Sequence, residues 1–469
     1  MKFVLLSTLF LITACSSITR QPASSSEVTA MFSPREGTQA FDNIYKNISN
    51  AKKYAYITIY SWSSKVKQLE VAMRNACDNG AKVNVVVHRN LFKAGYFKTR
   101  IKEIEESSCV QFRGSHRKLH EKFVIVDDQF LVNSSANFST KAASTFNETF
   151  IFFEGSNLDK EHSNILSEFK REFALLWNSG DDLISKNDKP TPGLEIPVNA
   201  SDDNKVDLFS SSLNIDYTDI GALKEGTTLS TKTKSKSWIV QDEVIESLKR
   251  AKKNIYLNVN HFYLKKIAQE VVNAAKRGVE IKIVADNQEY KPNSKSVQIP
   301  YIVKEWMKLN KGVNPPVRFK FYAFSPSIKF TRMNHNKTIL IDYNTNKTEL
   351  ITGSYNFSKT AERTQYDNLV FFSGKKYDHI YSAVVDDFNY IWDLNRGEKS
   401  ITTVVDTIVE EDKNLVKLHS PMAVSLDWYE LQTLKKYLQK KYNVPFNRYR
   451  ELNKCYGYDY KTKKFIGCD

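Results

Sequence analysis

The chain has 469 residues, enough for two to three domains of about 100–200 residues each. Hydrophobic residues at 41% and charged residues at 26% are near globular averages, and only 16 Gly and 12 Pro exclude a fibrous or low-complexity polymer. An excess of 68 Lys+Arg over 53 Asp+Glu, formally +15, favours anionic partners such as phosphodiesters, nucleic acid or acidic lipid, and is silent about fold.

Residues 1–14, MKFVLLSTLFLITA, set Lys2 before an apolar run from Phe3 to Ile12. That run is shorter than the ~20 residues a membrane-spanning helix takes. Ile12-Thr13-Ala14-Cys15 then resembles the lipobox of bacterial lipoproteins, in which the Cys thiol is lipidated and becomes the new N-terminus. The alternative is an ordinary secretory signal cut elsewhere. The expectation is a signal peptide at 1–14 and a Ser-rich lipidated tether at 15–30. The body would then be anchored through Cys15 in the bacterial cell envelope, and the Ser after the Cys points to the outer membrane. The four other cysteines are an even number, as suits an oxidising compartment. Cys77–Cys109 with Cys455–Cys468 is one of three connectivities, and buried free thiols at Cys77 and Cys109 are the alternative. With no CxxC and no His cluster, no metal site is expected.

One local plan then occurs twice. AKKYAYITIYSWS (51–63) parallels AKKNIYLNVNHFY (251–263), each a strand. A helix follows with apolar Leu69, Ala72, Met73 and Ala76, or Ile267, Val271, Val272 and Ala275. Gly80 and Gly278 end these helices, and an apolar second strand follows, Val83–Val87 or Ile281–Ala285. Strand–helix–strand with an apolar second strand marks a βαβ unit in a buried sheet. Further on, HEKFVIVD (120–127) parallels HNKTILID (335–342), and SSANFS (134–139) parallels GSYNFS (353–358). Amphipathic helices at His162–Trp177 and Tyr377–Trp392 close the repeats. The reading is an α/β protein of two homologous lobes, each a mostly buried sheet flanked by helices, related by a pseudo-twofold axis. Lobe 1 is placed at 31–180, a Pro/Gly/Asp/Asn-rich linker at 181–204, and lobe 2 at 205–398. A basic, Tyr-rich C-terminal extension, 399–469, has no counterpart in lobe 1 and is expected to dock on lobe 2.

The doubled pattern is His-x-Lys-x4-Asp followed by Ser-x-Asn, with an acid, Glu148 or Asp367, eleven residues after each Asn. Eight His at these charge contents give about 0.1 chance matches to the first part alone. The pattern resembles the signature of the phospholipase D superfamily, over residues of about 50–395. On a strand, residues i and i+2 share a face, so His120 with Lys122, and His335 with Lys337, would project together. Two facing lobes would offer two imidazoles and two ammonium groups to one phosphorus atom. One neutral imidazole attacks to form a phosphohistidine, and the other donates a proton to the leaving oxygen and then activates water. Lys122, Lys337, Asn137 and Asn356, with the hydroxyls of Ser135 and Ser354, would stabilise the phosphoryl oxygens. The cations are built in, so no cofactor is needed. The resemblance implies that Glu148 and Asp367 hold the imidazole tautomers, and pairing across the lobes, Glu148 with His335 and Asp367 with His120, is the favoured expectation, which the sequence does not settle. It also implies His120 as nucleophile and His335 as general acid. Asp127 and Asp342 read as structural groups at the strand ends. Three departures from the family pattern stand out. Ser134-Ser135 replaces the usual Gly-Ser, Asp367 replaces the usual Glu, and YNTNKT (343–348) lengthens the second hairpin.

His88, His261 and His116 read as polar residues at strand ends or on the rim. Arg113, Arg117 and Lys118 read as a solvated loop or a phosphate guide, and GTTLSTKTKSK (226–236) as an exposed loop or binding rim. The favoured function is hydrolysis of phospholipid headgroups, with the membrane as both anchor and substrate. A metal-independent endonuclease acting on nucleic acid is the alternative, and a cardiolipin synthase-like phosphatidyltransferase is the second. Because both motifs lie in one chain, a monomer should be active.

Overall fold

In a computed structural model, the two copies of the Ala-Lys-Lys turn launch the same strand–helix–strand unit. The structure describes residues 27–93, 95–155, 159–184, 193–197, 205–218, 229–322, 332–396, 423–433, 436, 457–459 and 464–466. The apolar leader, Cys15, Cys455, Cys468, and most of the linker and C-terminal extension lie outside the described residues.

Lobe 1 runs β1 (Glu27–Ser33), α1 (Gly37–Ser49), β2 (Tyr54–Ile59), α2 (Gln68–Asp78), β3 (Lys82–His88), α3 (Arg89–Phe92), α4 (Gly95–Ser107), β4 (Gln111–Ser115), β5 (Lys118–Leu119), β6 (Phe123–Val126), β7 (Phe130–Ser134), α5 (Thr140–Ser144), β8 (Glu148–Glu154), α6 (Lys160–Asn178) and β9 (Gly180–Asp182). Lobe 2 repeats the plan with β10 (Val206–Ser210), β11 (Ile215–Tyr217), β12 (Thr231–Thr233), α7 (Ile239–Arg250), β13 (Asn254–Val259), α8 (Lys265–Lys276), β14 (Glu280–Asp286), α9 (Ile299–Leu309), β15 (Val317–Tyr322), β16 (Lys337–Ile341), β17 (Glu349–Gly353), α10 (Lys359–Arg363), β18 (Gln365–Tyr366), β19 (Asn368–Ser373), α11 (Asp378–Trp392) and β20 (Ala423–Asp427).

Each lobe is built on an eight-stranded sheet, in the orders β1-β8-β7-β6-β2-β3-β4-β9 and β10-β19-β17-β16-β13-β14-β15-β20. The β2–β3 and β13–β14 pairs are parallel, as βαβ units require. In α2 the apolar positions Leu69, Ala72, Met73 and Ala76 are all buried. Gly80 and Gly278 adopt φ of 84° and 87° just past α2 and α8, a conformation that stops a helix and suits residues without a Cβ.

Two boundaries differ from expectation. β1 begins at Glu27, so the last residues of the expected tether belong to the sheet, where they pair antiparallel with β8. β20 comes from the C-terminal extension and pairs antiparallel with β15, just as β9 pairs with β4. Part of the extension is therefore built into the lobe 2 sheet and does have a counterpart in lobe 1.

The outer face of each sheet packs on its own helices, α1 and α2 in lobe 1, α7 and α8 in lobe 2. The inner faces share one core. Phe123, Ile151, Phe169, Phe173 and Trp177 of lobe 1 join Val206, Leu340, Val370, Phe372, Tyr377 and Tyr381 of lobe 2. Phe153 stacks on Phe372 across the seam at 5.9 Å. Each fully buried side chain of this size contributes about 1.5–3 kcal/mol, so the lobes are fused along α6 and α11. Cys77 on α2 is disulfide-bonded to Cys109 just before β4.

Candidate active site

The two His-x-Lys segments meet at the seam because each is hydrogen-bonded to the other lobe. β5 pairs in parallel with β18, Leu119 opposite Tyr366, and the His120 N–H donates to the Tyr366 carbonyl at 2.8 Å. In the mirror arrangement Asn334 bridges to Asn147, and the His335 N–H donates to the Asn147 carbonyl at 2.9 Å. The expectation that these histidines sit on strands needs correction. His120 and Lys122 lie in the extended segment between β5 and β6, and His335 lies just before β16. Their backbone is left out of the intralobe ladder and so reaches across the seam. Lys122 Nζ donates to the His120 carbonyl and Lys337 Nζ to that of His335, which folds each ammonium back under its imidazole.

Each imidazole receives its acid from the opposite lobe. His120 Nδ1 is 2.7 Å from Asp367 Oδ1, and His335 Nδ1 is 2.9 and 2.8 Å from the two oxygens of Glu148. A carboxylate on Nδ1 fixes the proton there and leaves Nε2 with its lone pair. Both acids are fully buried, and His120 and His335 are 4% and 9% exposed. Burial, reinforced by Lys122 and Lys337, holds His120 well below the usual imidazole range. Burial lowers His335 to about 4 against the opposing pull of Glu148. His335 adds to the groups that disfavour a proton on His120. Burial also holds Lys122 well below the ordinary lysine range and Lys337 at about 8, and raises Asp367 to about 7 against Lys122, Gln365 and Ser354.

The serines do something other than expected. Ser135 Oγ donates to Glu148 Oε2 at 2.6 Å and accepts from the Thr149 N–H. Ser354 Oγ donates to Asp367 Oδ1 at 3.0 Å and accepts from the Asn368 N–H. Both hydroxyls are committed to aiming the acids, so the expectation of free phosphate donors is corrected. Asn137 and Asn356 differ: the side-chain oxygen of each is buried without a hydrogen-bond partner among the described residues. Asp127 and Asp342 lie away from the site, in the left-handed region at φ 52° and 51°. Asp127 accepts the N–H groups of Lys52, Lys53 and Tyr54 at 2.6–2.8 Å, and Asp342 those of Lys252 and Lys253. They tie the end of each motif strand to the Ala-Lys-Lys turn.

Several residues at the site carry no signal in the motif. Tyr60 packs its ring 4.8 Å from that of His120, with Lys122 Nζ 5.0 Å and Lys118 Nζ 5.1 Å from its centroid and the His88 ring at 5.4 Å. Gln365 donates to Asp367 Oδ2. Position 60 could have been suspected from the repeat, because its counterpart Asn260 is polar and buried. His88 and Lys118 thus border the site. His261 pairs with Glu289, and His116 with Asp181. Arg113 is buried against Asp182 and the Trp177 carbonyl, and Arg117 bonds Thr231 and Thr233 of lobe 2, so neither serves as a free phosphate guide. Among the described residues no group of three His, Cys, Asp or Glu side chains could hold a metal ion, and no helix is long and apolar enough to cross a membrane.

The family model described as "Cardiolipin synthase, PLD-like domain" matches residues 44–177 and 244–392, more than half of the chain. The chain belongs to the phospholipase D superfamily. Its curated relatives include proteins named phospholipase D from Rickettsia prowazekii, 25% identical over 139 residues, and Rickettsia typhi, 27% identical over 128. Those alignments cover 29% and 27% of this chain, and 57% and 52% of the relatives, so the chain spans just over half the length of the relatives it matches. Among solved structures, phosphatidylserine synthase of Haemophilus influenzae is 12% identical with a TM-score of 0.51, covering 88% of this chain and 93% of that one. That likeness is one of fold. As in the phospholipase D signature, both His-x-Lys motifs of this chain fall inside the matched segments.

Proposed function

We propose that this protein is a phospholipase D-type phosphodiesterase that hydrolyses phospholipid headgroups through a phosphohistidine intermediate in the bacterial cell envelope. The observation that carries it is the pair of crossed His–acid contacts, His120–Asp367 and His335–Glu148, at one buried seam with Lys122 and Lys337.

His120 is the nucleophile in this reading. Asp367 on its Nδ1 leaves Nε2 with the lone pair that attacks phosphorus. His335, bonded by both oxygens of Glu148, takes a proton from solvent once a bound phosphodiester anion favours its imidazolium form, and passes that proton to the leaving alcohol oxygen. The P–O bond to the headgroup breaks as the Nε2–P bond forms. Neutral His335 then takes a proton from water, whose oxygen displaces His120 and frees phosphatidic acid. Lys122 and Lys337 balance the charge on the phosphoryl oxygens throughout.

Lipid is favoured as substrate by the lipobox-like sequence at Cys15, which would hold the site beside membrane phosphodiesters. The names of the rickettsial relatives support the same choice. A phosphatidyltransferase reading has support from the description of the matching family model, and differs only in an alcohol replacing water in the second step. The test offers the full-length protein phosphatidylcholine or phosphatidylethanolamine vesicles and, separately, plasmid DNA, with chelator present. His120→Ala and His335→Ala serve as controls. Headgroup release lost in both variants is the expected result. DNA nicking without headgroup release refutes the lipid reading, and new diacyl phosphodiesters on adding alcohol replace hydrolysis with transfer.

A further inference from the structure

Glu121, the residue between His120 and Lys122, has no place in the mechanism above, yet its side chain is fully buried. Among the described residues neither of its carboxyl oxygens has an ordinary hydrogen-bond donor, and Glu172 Oε1 on α6 also lacks one. The partner in reach of each is the other carboxyl. Two carboxylates cannot bond to each other, because both only accept, but a carboxylic acid and a carboxylate can. Glu172 Oε2 already accepts from the hydroxyls of Ser210 and Ser212 of lobe 2, at 2.8 and 2.5 Å. That makes Glu172 the ionised member and Glu121 the one that carries the proton.

Between those two serines, Ser211 holds the catalytic acid. Its N–H donates to the Asp367 carbonyl at 2.8 Å, its hydroxyl accepts from the Asp367 N–H at 2.9 Å, and it donates to the Gln365 carbonyl at 2.7 Å. One tripeptide therefore fastens both the carboxyl pair and the segment that aims Asp367 at His120. The second repeat solves the same position differently. Trp177 and Trp392 fall at or near the ends of α6 and α11, and five residues before them stand Glu172 and Asp387. Asp387 is neutralised by Arg35 at 3.0 Å, and the residue matching Glu121 is the neutral Asn336. No such cation bonds Glu172 among the described residues. The groups facing the pair are Asp367 and Lys122 at the site, Tyr217 on β11, Tyr366 on β18 and Arg171 on α6.

We infer that Glu121 and Glu172 form a proton-sharing carboxyl pair that positions Asp367, and through it His120, by clamping motif one to the Ser210–Ser212 segment of lobe 2. Losing the shared proton would set two like charges together in the seam beside Asp367 and push the clamp apart. The existence of the pair rests on two buried carboxyls whose facing oxygens find no other donor among the described residues, and its effect on turnover rests on the role proposed for His120.

The two parts can be tested separately in the full-length protein. Burial raises Glu121 well above the ordinary glutamate range. The folded state then keeps a proton that the unfolded chain has lost above about pH 4.3, so stability falls as pH rises from there. Glu121→Gln keeps a donor to Glu172 without a proton to lose. Its thermal midpoint should fall less steeply with pH than that of the wild type, and the infrared carbonyl band of a protonated carboxyl should weaken in the difference spectrum. Parallel stability curves and an unchanged band would refute the pair, whatever the enzyme's activity. For turnover, with bis(4-nitrophenyl) phosphate as probe, Glu121→Ala should lower kcat by about 10²-fold with little change in KM, the cost of a misplacement near 1 Å. Glu121→Gln should restore most of it. Glu172→Gln, which removes the carboxylate that accepts the shared proton and the ionised acceptor of Ser210 and Ser212, should retain less activity than Glu121→Gln. If Gln at 121 behaves like Ala, the shared proton is not what positions the site.

Discussion

Replacing Asp367 with Asn isolates the charge behind His120. Asp367 Oδ1 lies 2.7 Å from Nδ1 and is fully buried. In the proposed mechanism the His120 ring becomes cationic as it attacks phosphorus. With the centres of charge at ~4 Å and an effective dielectric constant of about 20, the carboxylate is worth about 4 kcal/mol to that ring. At 1.36 kcal/mol per decade, its loss predicts a fall in kcat of about 10³-fold. The amide cannot repair the network: Ser354 donates to one oxygen and Gln365 to the other, so an NH2 at either place meets a donor. KM should change little, because the charge develops in the transition state. The assay is release of 4-nitrophenolate from bis(4-nitrophenyl) phosphate. Because burial lifts Asp367 to about 7, the wild-type carboxylate is itself neutralised as pH falls through that value, so the ratio of wild type to variant should narrow below it. A loss under about tenfold at pH 8, or a ratio that widens at low pH, would refute the electrostatic role.

Lys337, held at about 8 by burial, loses its charge above that pH, so kcat/KM should decline there, and Lys337→Arg should move the decline upward because a guanidinium stays charged. A profile flat well above pH 8 in the wild type would count against Lys337 as a phosphoryl cation. Asp127→Ala strands three backbone N–H groups that are partly open to water, and should lower stability by about 2–3 kcal/mol in denaturant unfolding while leaving the activity per folded molecule unchanged. A fall in kcat with unchanged stability would reverse that assignment.

The lobes were legible in the sequence because their signals are local and occur twice. A β-branched run, an amphipathic helix and a glycine stop lie within about thirty residues of each other in both halves. The acids were legible as positions, eleven residues past each Asn, whereas their crossed partners were an expectation that the sequence left unsettled. His120 and Asp367 are 247 residues apart, and no periodicity reports a contact of that span. The serines misled for a related reason. A hydroxyl beside a phosphate motif suggests a phosphate donor until the fold shows a carboxylate 2.6 Å from it. Tyr60 was hidden because aromatic residues in strands usually signal core packing. β20 was hidden because only the second repeat draws its edge strand from a distant segment, whereas β9 follows α6 directly.

The crossed acids have a consequence for how this molecule comes into being. Neither half, folded alone, owns a finished nucleophile or a finished proton donor, since each imidazole borrows its tautomer from the other half. A nascent chain with only its first half made is thus chemically mute. In the proposed mechanism reactivity switches on when α6 and α11 each dock against the other lobe, at β10 and β1, so docking itself is the act that arms the catalyst.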